Sequence, residues 1–189
     1  MKKIVFSPAA YNLAETTRCI EIAKACRNDF SITFMSYGGK FESEIIKEGF
    51  ELHQLEPSLT DEKIDHIYKV DQGKKFGHMF SREEIRQQVE GEIDFLTRQE
   101  VACVVTGFNF SNSISCRVAD VPLVWLTHST WMMQSLYAEG LATHVDALDI
   151  PIIGNLPESV LKWLSKKMFS LANIIAKPYD KIAKEYGLT

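Results

Sequence analysis

The chain has 189 residues, 46% of them hydrophobic, enough for one large domain with a sizeable core. Its net charge of −4, with no basic run longer than two residues, excludes the electrostatic footprint of a nucleic-acid binder. No stretch approaches the ~20 apolar residues that span a bilayer, and Met1-Lys2-Lys3 is followed by too short an apolar run for a signal peptide.

The first element is an apolar run, residues 3–8, which reads as a buried strand. It ends in Ser7-Pro8-Ala9-Ala10-Tyr11-Asn12, and a helical pattern follows over about 13–27, with Cys19, Ile22, Ala23 and Cys26 at three- and four-residue steps. Phe30 to Ser36 alternates and reads as a second strand. A short helix at about 41–48 stops at Gly49, and Phe50 to Leu55 reads as a third strand. This β-α-β-α-β order implies parallel strands joined by right-handed crossovers. Residues 56–81 are polar, contain Pro57, Gly73 and Gly77, and read as a long irregular loop.

Ser81-Arg82-Glu83-Glu84 is a capping box that opens a helix. Its apolar stripe, Ile85, Val89, Ile93 and Leu96, is narrow, so one face should rest on the sheet and the rest lie in water. Ala102 to Thr106 is uniformly apolar and β-branched, which suits a central parallel strand covered on both faces. Gly107 to Ser113 forms a turn, a helix runs to about Ala119, and Leu123 to Thr127 is a further strand. His128 to Met133 begins a segment that reads as a helix, and Ile150 to Ile153 is a short apolar run. A C-terminal helical segment spans 157–188, interrupted by Pro178 and closed by Gly187. Strands alternate with helices throughout, without internal repeats. That pattern defines an α/β chain of residues 1–189: a Rossmann-like, doubly wound, mostly parallel sheet in a three-layer α/β/α domain.

Cys19, Cys26, Cys103 and Cys116 have no metal-ligand spacing and read as reduced core thiols of a cytoplasmic protein. His66 and His78 lie too far apart in sequence for a metal pair, and no metal is expected. Ligands of such sheets bind at the carboxyl ends of the strands. Three turns should converge there: 7–17, 107–113 and 128–131. Their hydroxyl, amide and aromatic groups suit a polar or polyhydroxylated ligand between apolar walls. The candidate contacts are Tyr11, Asn12, Thr16, Arg18, Phe108, Asn109, Ser111, His128, Ser129 and Trp131. The first turn has no glycine, so a dinucleotide pyrophosphate could not approach its backbone. G-x-x-x-x-G-K-[ST] and G-x-S-x-G are also missing, and no cofactor is expected.

Ala14-Glu15-Thr16-Thr17-Arg18, continuing as C-I-E-I-A-K-A, resembles the G-H-x-x-R/P-x-L-x-I-A-x-A-L segment that opens GT-B glycosyltransferases. These include the macrolide and UDP-sugar transferases and the cell-wall N-acetylglucosaminyltransferases. V-V-T-G-F-N-F-S followed by V-P-L-V-W is similar to the strand of the latter that ends in T-G-G-x-x-S and to the I-P-L-V after it. The terminal N-x-I-A-K-P-Y-D-K-I-A-K-E-Y-G-L resembles the segment where these N-terminal domains end. The resemblance implies one half of a GT-B fold, the half that binds a small-molecule, lipid or glycan acceptor. The nucleotide-sugar half would lie in a further C-terminal domain or a partner subunit, and this half alone would be inactive.

The family's proton-accepting His falls at Glu15 and its Gly at Ala14, while the Asp of a His-Asp dyad falls near Gly107. Glu15 is therefore the candidate catalytic base, since a carboxylate needs no orienting Asp. Asn12 three residues earlier gives Glu15 a second reading, as the closing member of a capping box, and solvated surface is a third. Arg18 suits a surface salt bridge as well as a ligand contact, and Asn109 and Ser111 could cap the helix that follows them. His128 could be a hydrogen-bonded structural histidine. Trp131, Met132 and Met133 fit a core as well as a pocket. A non-catalytic binding or scaffolding subunit remains the alternative function.

Overall fold

The computed structural model describes residues 1–72, 74–127 and 176–188, with isolated positions between 156 and 163. Five parallel strands, β1 (Lys3–Ser7), β2 (Ser31–Ser36), β3 (Glu51–Gln54), β4 (Val101–Thr106) and β5 (Leu123–Trp125), form one sheet in the order β3-β2-β1-β4-β5. The fold is the expected Rossmann-like α/β arrangement. The chain winds outward from β1 to β3, then returns to the other side of β1 for β4 and β5. The β1/β4 boundary is thus the switch point, where crevices open at the carboxyl ends of strands.

The apolar runs become strands because each residue finds a hydrophobic layer on its own side. Ile4 and Phe6 of β1 join Phe34 and Val105 against Cys19, Ile20 and Ala23 of α1 (Leu13–Cys26). Val5, between them, points the other way and packs with Met35, Val104 and Cys116. Alternation along a strand therefore feeds two cores. Phe6 and Phe34 stack at 5.3 Å between ring centres. The short helix α2 (Glu42–Lys47) contributes Ile45 to the α1 side.

Residues 56–81 depart from the irregular loop expected of them. They contain a helix, α3 (Asp61–Asp71), capped by the Thr60 hydroxyl, which accepts from Lys63 N at 3.2 Å. Asp61 and Glu62 in the first turn favour the positive end of the helix dipole. Ile64, Ile67 and Tyr68 hold a helical spacing, and they pack on Tyr11 and Phe108 rather than on the sheet. A stripe this narrow in a polar segment is easily overlooked.

The capping box of Ser81 and Glu84 forms and opens α4 (Arg82–Arg98). The expectation that only an apolar stripe of α4 is covered does not hold. Gln88 and Glu92 are buried too, because α5 (Asn112–Val118) lies beside that face. Glu92 is fully buried and accepts hydrogen bonds from Tyr37 Oη at 2.7 Å, Ser111 Oγ at 2.6 Å and Ser115 Oγ at 2.6 Å. The chain is also helical at 176–185 with Pro178 inside that stretch, where an interruption was expected, and Gly187 closes it at φ 71°. Ile182 from this segment packs with Ile85, Val89 and Ile114, and Glu185 pairs with Arg82 and Arg86. Most of the expected helix before Pro178, and the apolar run 150–153, lie outside the described residues. Among the described residues no helix is long and apolar enough to cross a membrane.

Burial lifts the Glu92 carboxyl above its ordinary range, against the pull of its hydroxyl donors. The stabilising contribution of a raised carboxyl is complete below the unfolded value and is lost as pH rises through the folded one. Urea unfolding should therefore show Glu92→Gln gaining on the wild type as pH rises from about 4 to 7. Glu92→Ala should cost about 3 kcal/mol at neutral pH, since it strands the buried Ser111 and Ser115 hydroxyls and leaves Tyr37 Oη only Gln88 O.

Candidate functional site

The turns after β1 and β4 meet at the switch point, and Glu15 joins them. Asn12 begins α1 as its N-cap, its side-chain oxygen accepting from Glu15 N at 3.3 Å. The reciprocal half of a capping box does not form, because Asn12 N donates to Ala9 O instead. The Glu15 carboxylate turns inward: Oε1 accepts from Ala9 N at 3.2 Å and from Gly107 N at 3.1 Å. Glu15 is only 3% exposed, which excludes the solvated-surface reading. Burial raises its carboxyl above the ordinary range, while the amides of Ala9, Gly107 and Phe108 and the charge of Arg18 pull it back.

Gly107 is required here by contact. A Cβ at this position would lie 2.8 Å from Leu126 O and 3.0 Å from Glu15 Oε1. Position 107, near which the resembled family places an Asp, therefore has no room for a side chain while Glu15 keeps this conformation. The Gly107 amide orients the carboxylate in its stead.

Above Glu15 lies a cleft of about 390 Å³. Of the residues singled out in the sequence, it brings together Tyr11, Asn12, Glu15, Arg18 and Phe108. Three others face elsewhere. Thr16 is buried and its hydroxyl donates to Asn12 O at 2.8 Å. Asn109 donates to Ser7 Oγ at 2.8 Å and so braces the β4 turn against β1. Ser111 begins α5 without capping it and gives its hydroxyl to Glu92. His128, Ser129 and Trp131 lie outside the described residues, as do Met132 and Met133.

The cleft also has walls that the sequence reading missed. Tyr68 and Asp71 reach it from α3, and Phe110 and Trp125 from the far side of β4. Tyr68 donates to Tyr11 O at 2.7 Å and meets the Tyr11 ring edge-on at 5.7 Å. Phe110 packs against Phe108 at 5.1 Å and Trp125 at 5.9 Å. The i, i+3 spacing of Tyr68 and Asp71 was the available signal, and it is meaningful only once 61–71 is read as a helix.

A larger open groove of about 610 Å³ runs along α3 away from the sheet edge. Most of its charges are engaged, Lys63 with Glu84 at 2.6 Å and Lys69 with Asp65 at 2.5 Å, and His66 bonds to His78 O. The smaller cleft is the better candidate, because it lies at the switch point and contains a buried donor, Arg18 Nε, without a partner. No cluster of metal-ligating side chains occurs among the described residues.

No family model matches the chain, and no curated protein matches it in sequence. Among solved structures it is similar to Acinetobacter baumannii MurG, with a TM-score of 0.53 at 8% identity. The match covers 77% of this chain, which spans 39% of that protein. MurG is a GT-B glycosyltransferase, and at this identity the likeness carries the fold alone. The fold class is thus a Rossmann-like α/β domain of the kind that makes up half of a GT-B enzyme.

Gly107→Ala should cost about 2 kcal/mol of stability, since the Leu126 carbonyl is backbone and Glu15 cannot retreat without losing its hydrogen bond from Gly107. Thermal unfolding measures the loss, and the chemical shift of the Ala9 amide reports displacement of the carboxylate.

Proposed function

We propose that this chain is the acceptor-binding half of a glycosyltransferase that moves a sugar from a nucleotide sugar to a hydroxyl. The observation that supports it best is the buried Glu15 carboxylate, which two backbone amides hold beneath an aromatic-walled cleft at the switch point. The sequence resemblance and the GT-B fold of the structural neighbour point the same way.

In this reading Glu15 takes the proton of the acceptor hydroxyl as that oxygen attacks the anomeric carbon of the donor. The bond from that carbon to phosphate breaks, and the nucleotide departs with the electron pair. A raised carboxyl pKa makes Glu15 a stronger base than a solvated carboxylate. The Ala9 and Gly107 amides fix its direction, a task that an Asp performs in a His-Asp dyad. The donor comes from a further domain or a partner subunit.

The same hydrogen bonds also favour a second reading, in which Glu15 only ties two turns together in a non-catalytic binding module. Glu15→Gln in the complete transferase separates the two. As a base, Glu15 makes the substitution lower kcat by about 10²-fold or more with little change in KM. As a tie, it makes the substitution leave kcat unchanged. Purified residues 1–189 should transfer no sugar from any nucleotide sugar without the donor half, as followed by nucleotide release.

A further inference from the structure

Two polar groups of the cleft lack partners in the protein, and they are complementary. Arg18 Nε is buried and donates to nothing, and Arg18 makes no salt bridge among the described residues. The Asp71 carboxylate, in the last turn of α3, accepts no hydrogen bond and joins no ion pair there. Both line the cleft, together with Trp125, a residue that remains 41% exposed. An orphaned donor is expensive to bury without a ligand, and the Asp71 carboxylate, exposed at the rim of the cleft, is free to accept from one.

A free donor, a free acceptor and an aromatic face within one cleft match the surface of a sugar ring. Each hydroxyl both donates and accepts, and the C–H face of the ring is apolar. Charge narrows the choice further. Among the described residues that line it, two carboxyl groups, Glu15 and Asp71, stand against one guanidinium, Arg18, a balance that disfavours a phosphate or carboxylate on the ligand. The neighbouring titratable groups, Tyr11 and Tyr68, are neutral phenols whose ionisation burial opposes.

We infer that the acceptor held in this cleft is an uncharged pyranose ring whose hydroxyls donate to Asp71 and accept from Arg18 Nε, with its apolar face on Trp125. The inference rests on the acceptor-site reading above and makes Asp71 and Arg18 the residues that select the acceptor.

The test is an NMR titration of isotope-labelled residues 1–189. The probes are methyl pyranosides of the gluco, galacto and manno series, glucose 6-phosphate, and cyclohexanol as an apolar ring of similar size. At least one neutral pyranoside should shift the Gly107 amide and the Trp125 indole with a millimolar Kd. Asp71→Asn and Arg18→Gln should each weaken it about tenfold, the loss of one charged hydrogen bond. Asp65→Asn, outside the cleft, should leave it unchanged.

Three results would overturn the inference: no pyranoside moving these signals, cyclohexanol or glucose 6-phosphate binding as tightly as the pyranosides, or Asp71→Asn binding like the wild type. Transfer by the complete enzyme to a non-carbohydrate hydroxyl, with no pyranoside bound here, would also overturn it yet leave the transferase reading intact. Pyranoside binding governed by Asp71 and Arg18, without transfer by the complete assembly, would support the clamp and sink the transferase reading.

Discussion

The geometry of the ligand-facing edge depends on one carboxylate oxygen shared by two backbone amides. Glu15 Oε1 accepts from Ala9 after β1 and from Gly107 after β4. These turns are nearly a hundred residues apart in sequence, and the sheet alone fixes only the strands beneath them. A doubly wound sheet leaves a crevice where its winding reverses. Here a buried carboxyl group bridges the crevice, and its hydrogen bonds are strengthened because little water competes. The same desolvation raises the carboxyl pKa, so the group that holds the turns together also gains basicity. The structural hold and the gain in basicity thus draw on one physical cause.

A second buried carboxylate does similar work on the other side of the β4 turn. Glu92 gathers hydroxyls from Tyr37, Ser111 and Ser115, tying α4 to α5 and to the end of β2. Ser111 and Asn109 belong to the same turn but are drawn away from the cleft, Ser111 to Glu92 and Asn109 to Ser7. The turn is braced from behind by its polar residues and presents Phe108 and Phe110 in front. A turn held in this way keeps its aromatic rings in place at little entropic cost to a ligand.

The sheet was legible because each strand's sequence carries the signature of its layer. Val104 and Val105 sit in a run with no polar interruption, and they face opposite cores. Glu15 was legible as a candidate, yet its partners were not. Asn12 and Glu15 have capping-box spacing, and whether the carboxylate turns back to Asn12 or inward to Gly107 depends on a contact 92 residues away. Local spacing cannot decide a competition of that kind. Glu92 was concealed for a related reason: on a charged helix its burial depends on where α5 packs. Asp71 was missed for want of a helix, since Ile64, Ile67 and Tyr68 look like scattered apolar residues until Thr60 is recognised as their cap.

The cleft's composition follows from this division between scaffold and wall. Its floor, Glu15 and Gly107, is set by sheet geometry and closed to change, because even a methyl group at position 107 collides with the Leu126 carbonyl. Its walls come from elements that the sheet does not dictate. One is α3, which packs on Tyr11 and Phe108 rather than on any strand, and the other is the end of β5, at the margin of the described sheet. Substitution at Asp71 or Trp125 therefore changes what the cleft holds while leaving the floor intact. On the proposed transferase reading, the floor would carry the chemistry and the walls the selection of the acceptor.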